Sequence, residues 1–203
     1  MDNKKKKNGA VSGVVIIIAA ALMIGCIVLL TNRGMITFGQ KSAQSASEVK
    51  KLKEKDLDLK YPSTPSEVVK LYWRFNKCIY NNSLKDSDLE ALVKQLRLLY
   101  DEEFLGQSGN AWEDMLQNIK EDQKTFNKEK RVISTYTVDK EDSVSYAELD
   151  GKECATLTCM IMETVKSKGA RTYAKFMCRK DGDGKWKIMG WEQIDESEAT
   201  AGK

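Results

Sequence analysis

The sequence predicts an α+β domain held behind an N-terminal membrane anchor. Three observations predict it. Apolar residues recur at helical spacing from Val68 to Ile119. The period then shortens to two, with short polar turns between apolar runs as far as Ile194. Ahead of both lies "AVSGVVIIIAAALMIGCIVLL", Ala10 to Leu30, without a single charge.

The apolar run comes first. At about 1.5 Å per residue its 21 residues cover the roughly 30 Å hydrocarbon core of a bilayer. It has no polar face, so a soluble amphipathic helix is a poor fit. Cleavage after "AAA" (Ala19 to Ala21) and lipid attachment at Cys26 in "MIGC" are the alternatives. Against both, the apolar run continues through Leu30. Lys4, Lys5, Lys6 and Lys7 precede it and only Arg33 follows closely, which places the N-terminus in the cytoplasm and the rest outside. The net charge of +3 is carried by those four lysines less Asp2. The remainder of the chain is neutral, so no nucleic-acid partner is expected.

The chain therefore divides into a basic cytoplasmic tail (1–9), a single-pass transmembrane helix (10–31), a charged tether (32–62), an extracytoplasmic α+β domain (63–196) and a flexible tail (197–203). In the tether, Val49, Leu52 and Leu59 are too sparse for a core stripe, so a solvated stalk is expected.

Three helices open the domain. Thr64, Pro65 and Glu67 form a capping box before Val68, Tyr72, Phe75 and Ile79. Ser87 with Glu90 opens the second, striped by Leu89, Leu92, Leu96 and Leu99. Asn110 with Glu113 opens the third, carrying Trp112, Met115, Leu116 and Ile119. Strands follow at Arg131–Asp139, Ser143–Leu149, Lys152–Val165, Arg171–Lys180 and Lys185–Ile194, with Asp150-Gly151 and "DGDG" (Asp181 to Gly184) as hairpin turns. A two-residue turn at Lys168-Gly169 would set Cys159 opposite Cys178 and Ile161 opposite Phe176. One face then collects Ala155, Leu157, Cys159, Ile161, Val165, Ala174, Phe176 and Cys178. The other is mixed: threonines, Tyr173, Lys175, Arg179 and three methionines. A sheet covered by helices on one side needs that asymmetry. The expected fold is three helices packed on a curved antiparallel meander of four to five strands.

Three helices, then a meander ending in "DGDGKWKIMGWEQI", resemble the nuclear transport factor two-like, cone-shaped superfamily, whose last hairpin often reads Asp-Gly-x-Trp-x-Ile; Gly184, Trp186 and Ile188 match it. The lysine-rich start, the membrane helix, the charged tether and "YPSTPSEVVKLYWRFNKCIYN" are similar to an uncharacterised clostridial family of membrane-anchored proteins. The resemblance implies a cone whose interior could be lined by Tyr72, Phe75, Trp112, Cys159, Phe176 and Cys178; close packing of the same side chains is the competing expectation. It implies no activity.

Nor does a catalytic constellation stand out. The chain contains no histidine, the commonest general base and metal ligand. No cysteine pair has zinc spacing, and no cofactor is expected. Packed free thiols are the ordinary reading of Cys159 and Cys178, with a cross-strand disulfide as the alternative. Aligned as a calcium loop, "DGDG" would put Arg179 at the first ligand position and Gly190 at the last, so a hairpin turn is expected instead. The function these readings favour is a membrane-tethered interaction or assembly domain without catalysis. Its partners would be the bilayer through residues 10–31 and a protein or a second copy of the chain. A small-molecule binding or sensing domain is the alternative. An isomerase or dehydratase comes third and would need a buried Asp or Glu beside a Tyr.

Overall fold

A computed structural model describes residues 46–166 and 168–201. The expected transmembrane helix (10–31) and the first part of the tether lie outside the described residues. Among those described, no helix is long and apolar enough to cross a membrane. The elements run α1 (Ala46–Lys53), α2 (Pro65–Asn81), α3 (Asp86–Arg97), α4 (Glu102–Leu105), α5 (Trp112–Glu129), β1 (Arg131–Val138), β2 (Ser145–Leu149), β3 (Lys152–Val165), β4 (Lys168–Lys180), β5 (Trp186–Ile194) and α6 (Glu196–Thr200). The architecture is α+β, with helices ahead of an antiparallel five-stranded sheet.

Helix α2 is central. Thr64 accepts from the Glu67 N–H at 3.2 Å, and the Glu67 carboxylate reaches back to the Ser63 N–H at 2.9 Å. Each bond satisfies a donor that the first helical turn would otherwise leave open. Residues on nearly every side of α2 are buried, including Val68, Val69, Leu71, Tyr72, Phe75 and Ile79. A helix buried all round lies inside the fold rather than on it.

The other two expected caps differ. Helix α3 starts at Asp86, one residue before Ser87, and its N-cap Lys85 makes no side-chain bond. Helix α5 starts at Trp112 after an uncapped Ala111. Asn110 is buried instead and staples the preceding loop: its Nδ2 donates to the Phe104 carbonyl at 2.8 Å, and its carbonyl accepts from Arg97 at 2.7 Å. Its side chain satisfies a buried carbonyl, which outweighs a solvent-exposed cap.

The described end of the tether, from residue 46, is part of the packed body. Val49, Leu52 and Leu57 are buried, and of its large apolar side chains Leu59 is exposed. Helix α1 lies against α3, held by the Lys53–Asp88 ion pair, and touches α2, where Glu48 accepts from Arg74 at 2.6 Å. Two apolar residues three apart are enough when α3 supplies the facing surface. The tail also differs from expectation through Thr200: Asp195 caps α6, which buries Ala199.

The sheet order is β1-β3-β4-β5, and β2 also pairs with β3. β1 pairs with the Cys159–Val165 end of β3 and β2 with its Lys152–Thr156 end. The chain leaves the sheet between them. Asp139 holds the gap, its carboxylate accepting from the Thr158 N–H at 2.8 Å. Register shifts at Ile133/Thr135 and Met177/Cys178 mark bulges, which bend the sheet around the helices.

The β3/β4 register corrects the expectation. Val165 pairs with Lys168, Cys159 with Ala174 and Ala155 with Cys178. The chain turns directly after Val165, where Lys166 adopts φ 47°. The partner of Cys159 thus moves by four residues. An even displacement preserves the faces, so the expected greasy face survives although every pairing changes. Cys159 and Cys178 are not opposite one another, and both are free thiols, as are Cys78 and Cys154.

Two sheet edges are capped at one end each. On β1, Asn81 accepts from the Ile133 N–H at 2.9 Å and donates to its carbonyl at 2.8 Å. On β5, Ile188 donates to Leu99 at 2.8 Å and accepts from Asp101 at 2.9 Å. β2 differs: all five of its residues are exposed.

Candidate functional site

The interior of the curved sheet is aromatic. Tyr72 on α2 stands 5.3 Å from Phe176 on β4 and 5.3 Å from Trp191 on β5, ring centre to ring centre. Phe176 and Trp191 stack at 5.7 Å. Trp73, Tyr100 and Phe104 extend the cluster. These are ordinary contact distances for aromatic pairs, so the rings fill space with one another.

Tyr72, Phe75, Cys159, Phe176 and Cys178 all belong to this core. Trp112 packs against this core from its margin. It is half-buried at the start of α5, with Lys94 at 5.7 Å and Arg97 at 6.0 Å from its ring. Its helical stripe put it inward, but the cations of α3 hold it at the seam between the two helices.

Burial raises the Tyr72 and Tyr100 hydroxyls above the ordinary tyrosine range. It also raises the thiols of Cys159 and Cys178, and pushes Cys78 up to about 11. These groups are therefore neutral at pH 7, and none is an activated nucleophile. One donor stands out: the indole N–H of Trp191 is buried without an acceptor among the described residues, whereas that of Trp73 is directed at the Cys159 thiol.

A second, polar cluster was not singled out from the sequence. Arg131 at the start of β1 is buried, donating to Glu129 at 2.6 Å and lying 3.3 Å from Glu163 on β3. Burial pushes Glu163 up to about 7, against the pull of Arg131; Glu129 adds to the rise. Nearby, Phe126 lies under the Arg131 guanidinium at 5.3 Å and packs on Tyr80 at 4.7 Å. The Tyr80 hydroxyl interacts with Asp122, whose carboxyl burial pushes up to about 6. The signal for Glu163 was its odd position on a strand whose other odd residues from Ala155 to Val165 are apolar. Nothing local marks Asp122, which sits on a largely polar stretch of α5.

The "DGDG" loop is a hairpin turn. One Asp181 oxygen accepts from the Asp183 and Lys185 N–H groups, both at 2.9 Å. Gly184 takes φ 75°, open to glycine at no steric cost. The carboxylate that a cation would need is occupied by the turn's own backbone.

No curated protein matches the chain. Among solved structures, a nuclear magnetic resonance structure of TraH, a protein ascribed to transfer, from the Gram-positive conjugative plasmid pIP501, overlaps it with a TM-score of 0.35 at 14% identity, covering 68% of this chain and 98% of that one. So loose an overlap does not establish a shared fold. The sequence does match one family along most of its length, residues 1–191, and the chain belongs to that family, described as Domain of unknown function (DUF6715).

Proposed function

We propose that this protein is a membrane-tethered extracytoplasmic interaction or assembly domain without catalytic activity. The observation that carries the reading is the filled interior: Tyr72, Phe176 and Trp191 use their surfaces on one another. What the fold offers outward is its surface. Tyr146 and Leu149 are about half exposed on one short edge strand. The charge-free run Ala10–Leu30 and its flanking lysines support anchorage in the cell membrane with the domain outside. The helices on one face of a bulged sheet support a nuclear transport factor two-like architecture. The test is affinity capture of the full chain from detergent extract, with the apolar run intact. Recovery of a stoichiometric protein partner or of a second, distinguishable copy is expected. Recovery of neither, with the chain monomeric at high concentration, would refute the reading.

One observation favours a second reading, a small-molecule site in the interior. The unpaired indole N–H of Trp191 is a donor that a ligand bearing an acceptor would satisfy. Quenching or a blue shift of tryptophan emission by such a ligand, lost in Trp191→Phe, would support it.

A further inference from the structure

The sheet treats its edges unequally. The outer side of β1 is covered by Asn81, which bonds both backbone groups of Ile133, and by Lys77, which donates to the Ser134 carbonyl at 2.7 Å. The outer side of β5 is paired with Leu99 and Asp101 and touched by Tyr61, which donates to the Trp186 carbonyl at 2.8 Å. β2 lies end to end with β1 along β3 but carries no cap from any described residue. All five of its residues are exposed, among them Tyr146 at 52% and Leu149 at 48%. An uncapped edge is a template for another strand, and proteins usually blunt it.

We infer that β2 is a self-association edge, at which two copies of this chain pair antiparallel about a two-fold axis through Ala147. This rests on the interaction reading above and names its partner. The strand "SYAEL" suits such an axis. Ser145 falls opposite the second copy's Leu149, Tyr146 opposite its Glu148, and Ala147 opposite Ala147. The smallest side chain sits on the axis, and no like charges face each other. Glu148, the strand's only charge, meets a tyrosine ring, whose hydroxyl already engages the Glu141 carboxylate within its own chain. Pairing would supply about four to six backbone hydrogen bonds, few for a free-standing dimer. The anchor supplies the rest. Residues 31–45 span at most roughly 50 Å, so copies anchored through 10–30 hold their β2 edges in one thin layer at high local concentration.

The experiment uses the full chain reconstituted in phosphatidylethanolamine–phosphatidylglycerol vesicles, in a Cys26→Ser, Cys154→Ser background, because Cys154 is the residue paired with Ala147 across β2 and β3. The three remaining cysteines are buried. Ala147→Cys sets two thiols across the axis at a separation a disulfide can bridge. Mild oxidation should give a reducible dimer, whereas Lys124→Cys, exposed on α5, should not. Tyr146→Glu sets like charges opposite each other twice and should weaken cross-linking of Ala147→Cys roughly two- to thirty-fold. Tyr146→Lys should preserve it, and adding Glu148→Lys to Tyr146→Glu should restore it. Tryptophan emission reports whether each variant stays folded. Equal cross-linking at positions 147 and 124, or equal effects of Glu and Lys at position 146, would overturn the inference. If capture of the wild-type chain still recovers a partner, the interaction reading survives that failure. If it recovers none, both fall.

Discussion

Glu163 makes the fold's stability depend on pH in a direction opposite to that of most carboxylates. It is 5% exposed on the inner side of β3, and its carboxyl is pushed up to about 7 from an ordinary 4.5. The folded chain therefore holds this proton more tightly than the unfolded chain does. Its favourable contribution is full below about pH 4.5 and is lost as pH rises through about 7. A shift of this size corresponds to an order of 3 kcal/mol. Glu163→Gln keeps the shape and removes the titration. The variant should lose much of the wild type's fall in stability between pH 5 and 8, roughly 1–3 kcal/mol, because Arg131 keeps Glu129 at 2.6 Å. Asp122, pushed up to about 6, leaves a slope of the same sign at lower pH. Urea titrations of the full chain in mild detergent read this directly. All four tryptophans lie between Trp73 and Trp191, outside the apolar run, so their emission follows the folded domain alone. A wild type whose stability rises from pH 5 to 8, or a Gln variant with an unchanged pH slope, would refute the reasoning.

Other outcomes are equally concrete. Leu52→Ala, at a side chain 1% exposed, should cost about 2–4 kcal/mol or release α1, seen as faster proteolysis near residue 54 with the rest intact. Thr64→Ala should lower stability by about 1 kcal/mol through loss of the α2 cap, measured in the same urea titration. Gly184→Ala, forced to φ 75°, should cost about 1–2 kcal/mol, whereas Gly182→Ala, at ordinary φ, should cost less. The buried thiols of Cys78, Cys154, Cys159 and Cys178 should alkylate only on unfolding, with no disulfide found by mass spectrometry under oxidising conditions.

Much of the fold was legible from periodicity. The Thr64 box, the helical stripe of α2 and the alternation along β3 and β4 are local signals, and each reports which side of an element is apolar. They do not report what covers that side. Val49 and Leu52 looked too few for a core because their partner, α3, lies some 35 residues further on, as Lys53 and Asp88 show. Asn110 looked like a cap because its tertiary acceptor, the Phe104 carbonyl, is invisible to a capping rule. Among the candidate site residues, the strand positions Cys159, Phe176 and Cys178 were placed on the correct face by parity alone. Trp112 reaches only the margin of the core, where Lys94 and Arg97 lie over its ring.

The sequence by itself determined which strand residues of β3 and β4 face inward, that Ala10–Leu30 is a charge-free run of bilayer length, and that "DGDG" is a turn. Those properties depend on neighbours a few positions apart. Tertiary structure alone decided the β3/β4 register, the packing of α1, the Arg131–Glu163 pair and the bare edge of β2. A shift by an even number of residues leaves the alternating pattern unchanged while moving every pairing, and an edge is capped or bare only according to what the distant chain brings to it.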